Sequence, residues 1–325
     1  MPVKRRTFLA SGLAFGLAGL TACSKGGSSS QDIVVSFSDL SQPFFVAMRH
    51  DLEDEAQTLG VKVQVLDGQN NSSKQVSDLD AAGMQGIRAV IIAPTDSKAL
   101  ASATDKLADD GVIVVSVDRH IENAKHPVPH FGADNVAGGR AMADWVVKTF
   151  PKGAKIVVIT NDPGSSSSIE RVKGVHEGFA TGGPSYVIVA EQTANSKRDQ
   201  ALTVTQAILT SMGDQHPDAI LCLNDDMAMG ALEAIHGAGF TPQQVRVLGF
   251  DAIPEALKRI QAGDMAATVE QNPGEQIRTA LRQVVGALRD KKTIASQSLT
   301  PVLITRDNIN QASRISEVKH EVSGA

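Results

Sequence analysis

The stretch IVVSFSDLSQPFFVAMRHDLEDEAQTLG, Ile33 to Gly60, decides the fold. Its first five residues, IVVSF, are almost continuously apolar, as a strand buried on both faces must be. After Pro43 the apolar residues fall at helical spacing and the run stops at Gly60, a residue suited to the left-handed end of a helix. A buried strand followed at once by an amphipathic helix is the repeating unit of a parallel α/β sheet. Inside this unit stands SQPFF, with Phe44 and Phe45 side by side in a chain only 4% aromatic. Neighbours on a helix point about 100° apart, so the two rings cannot serve one core face equally well.

The unit recurs along the chain. Strand-like runs follow at VKVQVLD (61–67), AVIIAP (89–94), VIVVSVD (112–118) and AKIVVIT (154–160). Others are YVIVAE (186–191), AILCLN (219–224) and VRVLGFD (245–251), with helical segments such as KALASATDKLADDG between them. Eight such units exceed one comfortable sheet and the rhythm restarts near residue 154, which predicts a doubly wound α/β architecture in two similar lobes. Ligands of open parallel sheets bind beyond the carboxyl ends of the strands. Those ends are polar here: Ser38-Asp39, Asp67, Asp118-Arg119, Asn161-Asp162, Asn224-Asp225-Asp226, Asp251 and Glu270-Gln271-Asn272. Carboxylates, amides and an arginine, with aromatic rings among them, suit a small neutral polyhydroxylated ligand. Each hydroxyl donates to a carboxylate and accepts from Arg or Asn, while a ring covers the C–H face.

At 325 residues, 42% hydrophobic and 21% charged, the chain has room for two cored lobes of an ordinary globular protein. Residues 1–22 stand apart. Lys4, Arg5 and Arg6 precede a short Ala/Gly/Leu-rich run that ends in Leu20-Thr21-Ala22-Cys23. This reads as a twin-arginine-like export signal with a lipoprotein box, in which Cys23 is lipidated and residues 23–31 form a tether to a membrane. A plain export signal that happens to contain a cysteine is the alternative. Without those three cations, 31 basic residues become 28 against 36 acidic ones, a formal charge of −8 that argues against nucleic-acid binding. Cys222, flanked by Ile220, Leu221 and Leu223, is then the remaining thiol and reads as buried and inert.

No catalytic set assembles. There is no G-x-S-x-G, and the run Gly164-Ser165-Ser166-Ser167-Ser168 lacks both an elbow glycine frame and the lysine of a phosphate-binding loop. His120, His126 and His130 have spacings that match no common zinc pattern and read as solvated loop residues. No cofactor and no metal is expected.

The order SQPFF, DGQN, APTDS, VSVDRH, ADNVAGG, NDDMAMGALEAI, VLGFD, ATVEQNP resembles the ribose-type periplasmic sugar-binding proteins of bacterial ABC importers, over about residues 33–305. That resemblance implies the type I periplasmic binding protein fold: two Rossmann-like lobes with parallel sheets, joined by a three-crossing hinge. Lobe 1 would comprise residues 32–133 plus 272–299, lobe 2 residues 134–271 plus 300–313, and residues 314–325 a C-terminal tail. It implies ligand-binding roles for Gln42, Phe44, Phe45, Asp118, Arg119, Arg171, Asn224, Phe250, Asp251 and Gln271. Arg171 is the nearest candidate for the family's lobe-two arginine, although a gap-free alignment places Ile169 there. A family ligand asparagine is replaced by Ala93, and an opposing aromatic by a residue near Ser196. Asp225 reads as the N-cap of a helix over 226–238, leaving Asn224 for ligand. Phe45 and Phe250 also admit plain packing roles, and Asp118–Arg119 a structural pair.

The implied function is capture of a monosaccharide or sugar alcohol by a monomeric receptor in the periplasm or on the outer face of the envelope. The receptor would deliver its solute to an ABC permease. A chemotaxis or autoinducer receptor of the same fold, or an exported carbohydrate-active enzyme, are the alternatives. A repressor is disfavoured because an export signal occupies the place of its DNA-binding helices.

Overall fold

The computed structural model describes residues 32–322. The signal, Cys23 and the whole tether lie outside the described residues, as do the last three. The first part of the chain runs β1 (Ile33–Phe37), α1 (Pro43–Leu59), β2 (Val63–Asp67), α2 (Ser72–Met84) and β3 (Ala89–Ile92). It continues with α3 (Ala101–Asp109), β4 (Ile113–Val117) and β5 (His130–Ala133). Then come α4 (Asn135–Thr149), β6 (Ala154–Thr160), α5 (Ser166–Gly182), β7 (Tyr186–Thr193), α6 (Arg198–Met212) and β8 (Ala219–Cys222). The last part is α7 (Asp225–Gly237), β9 (Arg246–Phe250), α8 (Pro254–Ala262), β10 (Ala267–Glu270), α9 (Pro273–Asp290), β11 (Gln297–Leu299), β12 (Val302–Thr305) and α10 (Ile315–Val322).

Two six-stranded sheets result. The first has the order β11-β5-β4-β3-β1-β2 with every pairing parallel. The second, β12-β10-β9-β8-β6-β7, is parallel except at β12, which runs antiparallel to β10. The chain passes between the sheets after β5, after β10 and between β11 and β12, around Pro301.

The continuous apolar strands follow from burial on both faces. Ile33, Val35 and Phe37 of β1 pack in one cluster with Phe45, Leu52 and Ile277, while Val34 points to the other, beside Leu79 and Leu107. Each large apolar side chain buried in this way contributes about 1.5–3 kcal/mol. Pro43 opens α1 at a position whose N–H needs no helical partner, and Gly60 closes it at φ +62°. Cys222 is buried in the second lobe's core, where desolvation pushes its thiol pKa far up and leaves it inert.

Three elements differ from the sequence reading. β5, of sequence HFGA, lacks the β-branched run that marks a strand, and it places His130 in a sheet rather than a loop. Residues 315–322, expected as part of a tail, form α10, whose Val318 is buried in the second lobe's core. The N-cap of α7 is Asn224, whose Oδ1 accepts from the Met227 N–H at 2.8 Å. Asp225 lies inside the helix, fully buried, accepting from Thr268 Oγ1 at 2.7 Å and the Ile253 N–H at 2.9 Å.

Candidate functional site

The carboxyl ends of both sheets face each other across a cleft, and the polar strand ends meet there. The first wall begins at the β1–α1 junction. Phe45, 1% exposed, packs on Phe37 at 5.9 Å and takes the edge of Phe44 at 5.2 Å. Adjacent helical residues diverge, so one ring sits deeper than the other, yet both are buried at this end of the helix. The Arg119 guanidinium lies 5.6 Å from the Phe45 ring centre, and its Nε is 3.5 Å from Asp118 Oδ2. Gln42 is buried beside Ser41, at the start of the same helix.

The second wall is organised around Arg171 of α5. Its guanidinium stacks 3.6 Å above the Phe250 ring, donates from Nε to Asn135 Oδ1 at 2.9 Å and from an Nη to the Leu223 carbonyl at 2.6 Å. Asp251 Oδ1 lies 3.8 Å away and accepts from Gln271 Nε2 at 2.7 Å. Gln276 in turn donates to the Gln271 carbonyl at 2.9 Å, which fixes Gln271. Ile169, the position a gap-free alignment would choose, is 49% exposed, so Arg171 is the arginine of this wall. Phe250 is fully buried beneath it, with Gly138 so close to the ring edge that a Cβ would collide. Phe250 therefore supports the arginine.

Two cleft carboxylates sit on strained backbone. Asp118 has φ +62° and Asp251 φ +113°, conformations that cost non-glycine residues about 1–3 kcal/mol each. Both carboxylates have raised pKa values. For Asp118 the cause is burial, opposed first by Arg119 and then by Arg171. For Asp251 burial pushes the value up to about 7, opposed first by Arg171. Burial also pulls the Arg171 guanidinium below its ordinary value, against the pull of Asp251 and Asp118, and it stays a cation at neutral pH. Each guanidinium of the cleft thus has a carboxylate beside it, Asp118 at Arg119 and Asp251 at Arg171.

Buried polar atoms without a protein partner supply the chemistry. Among the described residues these include the acceptors Asp118 Oδ1 and Asn161 Oδ1 and the donors Gln42 Nε2 and Arg119 Nε. They come from both walls and mix donors with acceptors, which a hydroxylated neutral molecule satisfies because each hydroxyl does both.

All ten residues singled out in the sequence lie in or immediately beneath this cleft. Asn224 differs in its state: its oxygen caps α7 and its nitrogen donates to the Ser196 carbonyl at 3.3 Å. The sequence reading placed Asn161 and Asp162 at a strand end without assigning them, and gave Asn135, within ADNVAGG, no role of its own. Asn161 Nδ2 donates to Ser196 Oγ at 3.1 Å, and Ser196 Oγ donates to Asp162 Oδ2 at 2.7 Å. Their signal was position alone, directly after β6 and after β5. Ser196 is fully buried.

The walls are joined across the cleft. Asn70 donates to Asp162 at 2.8 Å, the Ser97 N–H to the Gly164 carbonyl at 3.0 Å, and the His120 N–H to Ser166 Oγ at 3.0 Å. Gly164 permits this approach, because a Cβ there would overlap Asp96.

Two mostly parallel sheets, three passages between them and a polar cleft at their carboxyl ends define a sugar-binding protein of the type I periplasmic fold. Residues 33–292 match the model of the periplasmic binding protein domain, and the chain belongs to that family, a class of solute-binding proteins. It is 36% identical to the ribose import binding protein of Bacillus subtilis, over 85% of this chain and 92% of that one. It is 27% identical to the xylitol-binding protein of Mycolicibacterium smegmatis, over 90% of this chain and 84% of the other. Among solved structures it is similar to the Caulobacter myo-inositol binding protein bound to myo-inositol, at 71% identity and TM-score 0.88, covering 89% of this chain and 98% of that one. The chain is thus a periplasmic receptor that captures a sugar or sugar-like polyol for an ABC importer.

Proposed function

We propose that the captured solute is a cyclic polyol, with myo-inositol the preferred member. The observation that carries this is the 71% identity to a protein solved with myo-inositol bound. The chemistry of the cleft supports it independently. An aldose presents a ring oxygen that only accepts, whereas every ring carbon of myo-inositol bears a hydroxyl that both donates and accepts. The partnerless atoms Gln42 Nε2, Arg119 Nε, Asp118 Oδ1 and Asn161 Oδ1 call for donors and acceptors around the whole ring. Phe44 and Phe45 cover one C–H face, and the polar Ser196 side leaves the opposite face free for hydroxyls.

In this reading Asp118, Arg119, Arg171, Asp251 and Gln271 grip the ring, Gln42 and Asn224 border it, and Phe250 holds Arg171 in place. The lobes, residues 32–133 plus 272–299 and 134–271 plus 300–313, close about the three crossings when solute spans them. The receptor works as a monomer held to the membrane by lipid on Cys23 and returns its ligand chemically unchanged.

A thermal-shift and calorimetric series with myo-inositol, ribose, allose and xylitol tests the assignment. At a hundredfold its dissociation constant, myo-inositol should add about 2.7 kcal/mol of stability and outrank the others. Tighter binding of ribose, or no shift with myo-inositol, overturns it.

A further inference from the structure

Asp162 follows β6 immediately, next to Asn161, and its carboxylate is nearly buried at the point where the two walls meet. One oxygen accepts from Asn70, carried by the loop after β2 in the first lobe. The other accepts from Ser196 Oγ in its own lobe at 2.7 Å and lies 4.0 Å from an Nη of Arg119. Arg119 has little else to hold it. Among the described residues its guanidinium makes one hydrogen bond, a long one of 3.5 Å to the Pro94 carbonyl, and its Nε has no hydrogen-bond acceptor. Arg119 and Asn70 belong to one lobe and Asp162 to the other, so the second anion facing Arg119 arrives only when the lobes meet.

We propose that Asp162 is a positioning residue that makes the grip of Arg119 conditional on closure: it clasps Asn70 across the mouth of the cleft and fixes the Arg119 guanidinium toward the polyol. This rests on the reading of the cleft as the polyol site. The physical consequence is kinetic. Ligand entering an open cleft meets no clasp, so association is unaffected. Escape requires the clasp to break together with the ligand's own contacts, so the clasp slows dissociation.

The test is surface plasmon resonance with the captured mature chain and myo-inositol. Asp162→Ala should raise the dissociation rate about tenfold, the scale of one lost hydrogen bond to a charged group, with the association rate within about twofold of wild type. Asn70→Ala should act in the same direction. Their double variant should dissociate no faster than Asp162→Ala alone, because both changes break one clasp. Asp162→Asn, which keeps an acceptor oxygen for Asn70, should fall between wild type and Asp162→Ala. An unchanged dissociation rate in Asp162→Ala overturns the proposal, and so do fully additive effects of the two alanine changes. A lowered melting point with an unchanged ratio of the two rates would make Asp162 merely structural and also overturns it. If the wild-type chain fails to bind myo-inositol, it is the ligand assignment that falls. The same variants with ribose as probe then decide on the clasp.

Discussion

The two walls of the cleft carry the same pair of charges and hold them differently. On the second wall Arg171 is stacked on Phe250, bonded to Asn135 and the Leu223 carbonyl, and balanced by an Asp251 that Gln271 holds in turn. On the first wall Arg119 has its adjacent carboxylate at 3.5 Å, the Phe45 ring at 5.6 Å and a single long bond to Pro94. The second wall is therefore built before ligand arrives, while the first is completed by ligand and by closure. A receptor made this way docks its solute on the rigid wall and recruits the looser one, so binding free energy is coupled to lobe movement.

Replacing the two arginines is the sharpest way to break this contrast. Arg171→Ala should abolish measurable polyol binding and also destabilise the unliganded chain by about 3–5 kcal/mol, because it leaves the buried Asp251 without its cation. Arg119→Ala should weaken binding by about 1.5–3 kcal/mol, the worth of hydrogen bonds to a charged group. It should destabilise the unliganded chain less than Arg171→Ala does, because buried Asp118 loses its cation but no short hydrogen bonds or close ring stack go with it. Calorimetry and thermal denaturation of both variants check this. Equal losses of unliganded stability would erase the distinction between a prebuilt and a recruited wall.

Support of the arginine by an aromatic floor predicts a smaller effect. Phe250→Leu keeps an apolar residue of similar reach but removes the ring beneath the Arg171 guanidinium, a contact worth about 1–2 kcal/mol when desolvated. Polyol affinity should fall roughly tenfold, and stability by a comparable amount. A matching change at Phe44→Leu, where no guanidinium lies over the ring, should leave Arg171 untouched and alter only the apolar contact with the ligand. If Phe250→Leu binds as tightly as wild type, the stack is packing without consequence for the site.

The same contrast explains what was legible in the sequence. Strands such as IVVSF and AILC announce themselves because every position is buried and nearly all of them are apolar. The rule that ligands bind beyond strand ends then turned the polar residues after them, Asp251 and Gln271 among them, into a candidate site, while their individual roles came from the resemblance. HFGA escaped as a strand because neighbouring elements, not its own propensity, hold it in the sheet. Asn224 and Asp225 exchanged roles because both side chains suit an N-cap, and only the backbone bend decides which one turns inward. Asp162 stayed unassigned because its partners Asn70 and Ser196 are 92 and 34 residues away, and nothing local marks a residue as bridging two lobes.

The walls should also titrate in opposite directions, by the smallest margin of these effects. His130, in the first lobe beside Ser116 and His120, is held by burial at a pKa of about 4, against an ordinary value near 6.5. A depressed imidazole lends stability that is present above pH 6.5 and is lost as pH falls toward 4, about 1 kcal/mol at pH 5.5. Asp251, in the second lobe, is raised to about 7, so its contribution is present below the ordinary carboxylate value and is lost as pH rises through 7. Both changes run through the same window, about pH 4 to 7, with opposite sign, so they offset each other and unliganded stability should vary little across it. His130→Gln should unmask a fall in stability as pH rises from about 4.5 to 7, and Asp251→Asn a rise over much of the same range, in urea titrations between about pH 4.5 and 8. A pH profile that neither variant alters would mean that both side chains relax to water and that the walls are less rigidly sealed than their burial implies.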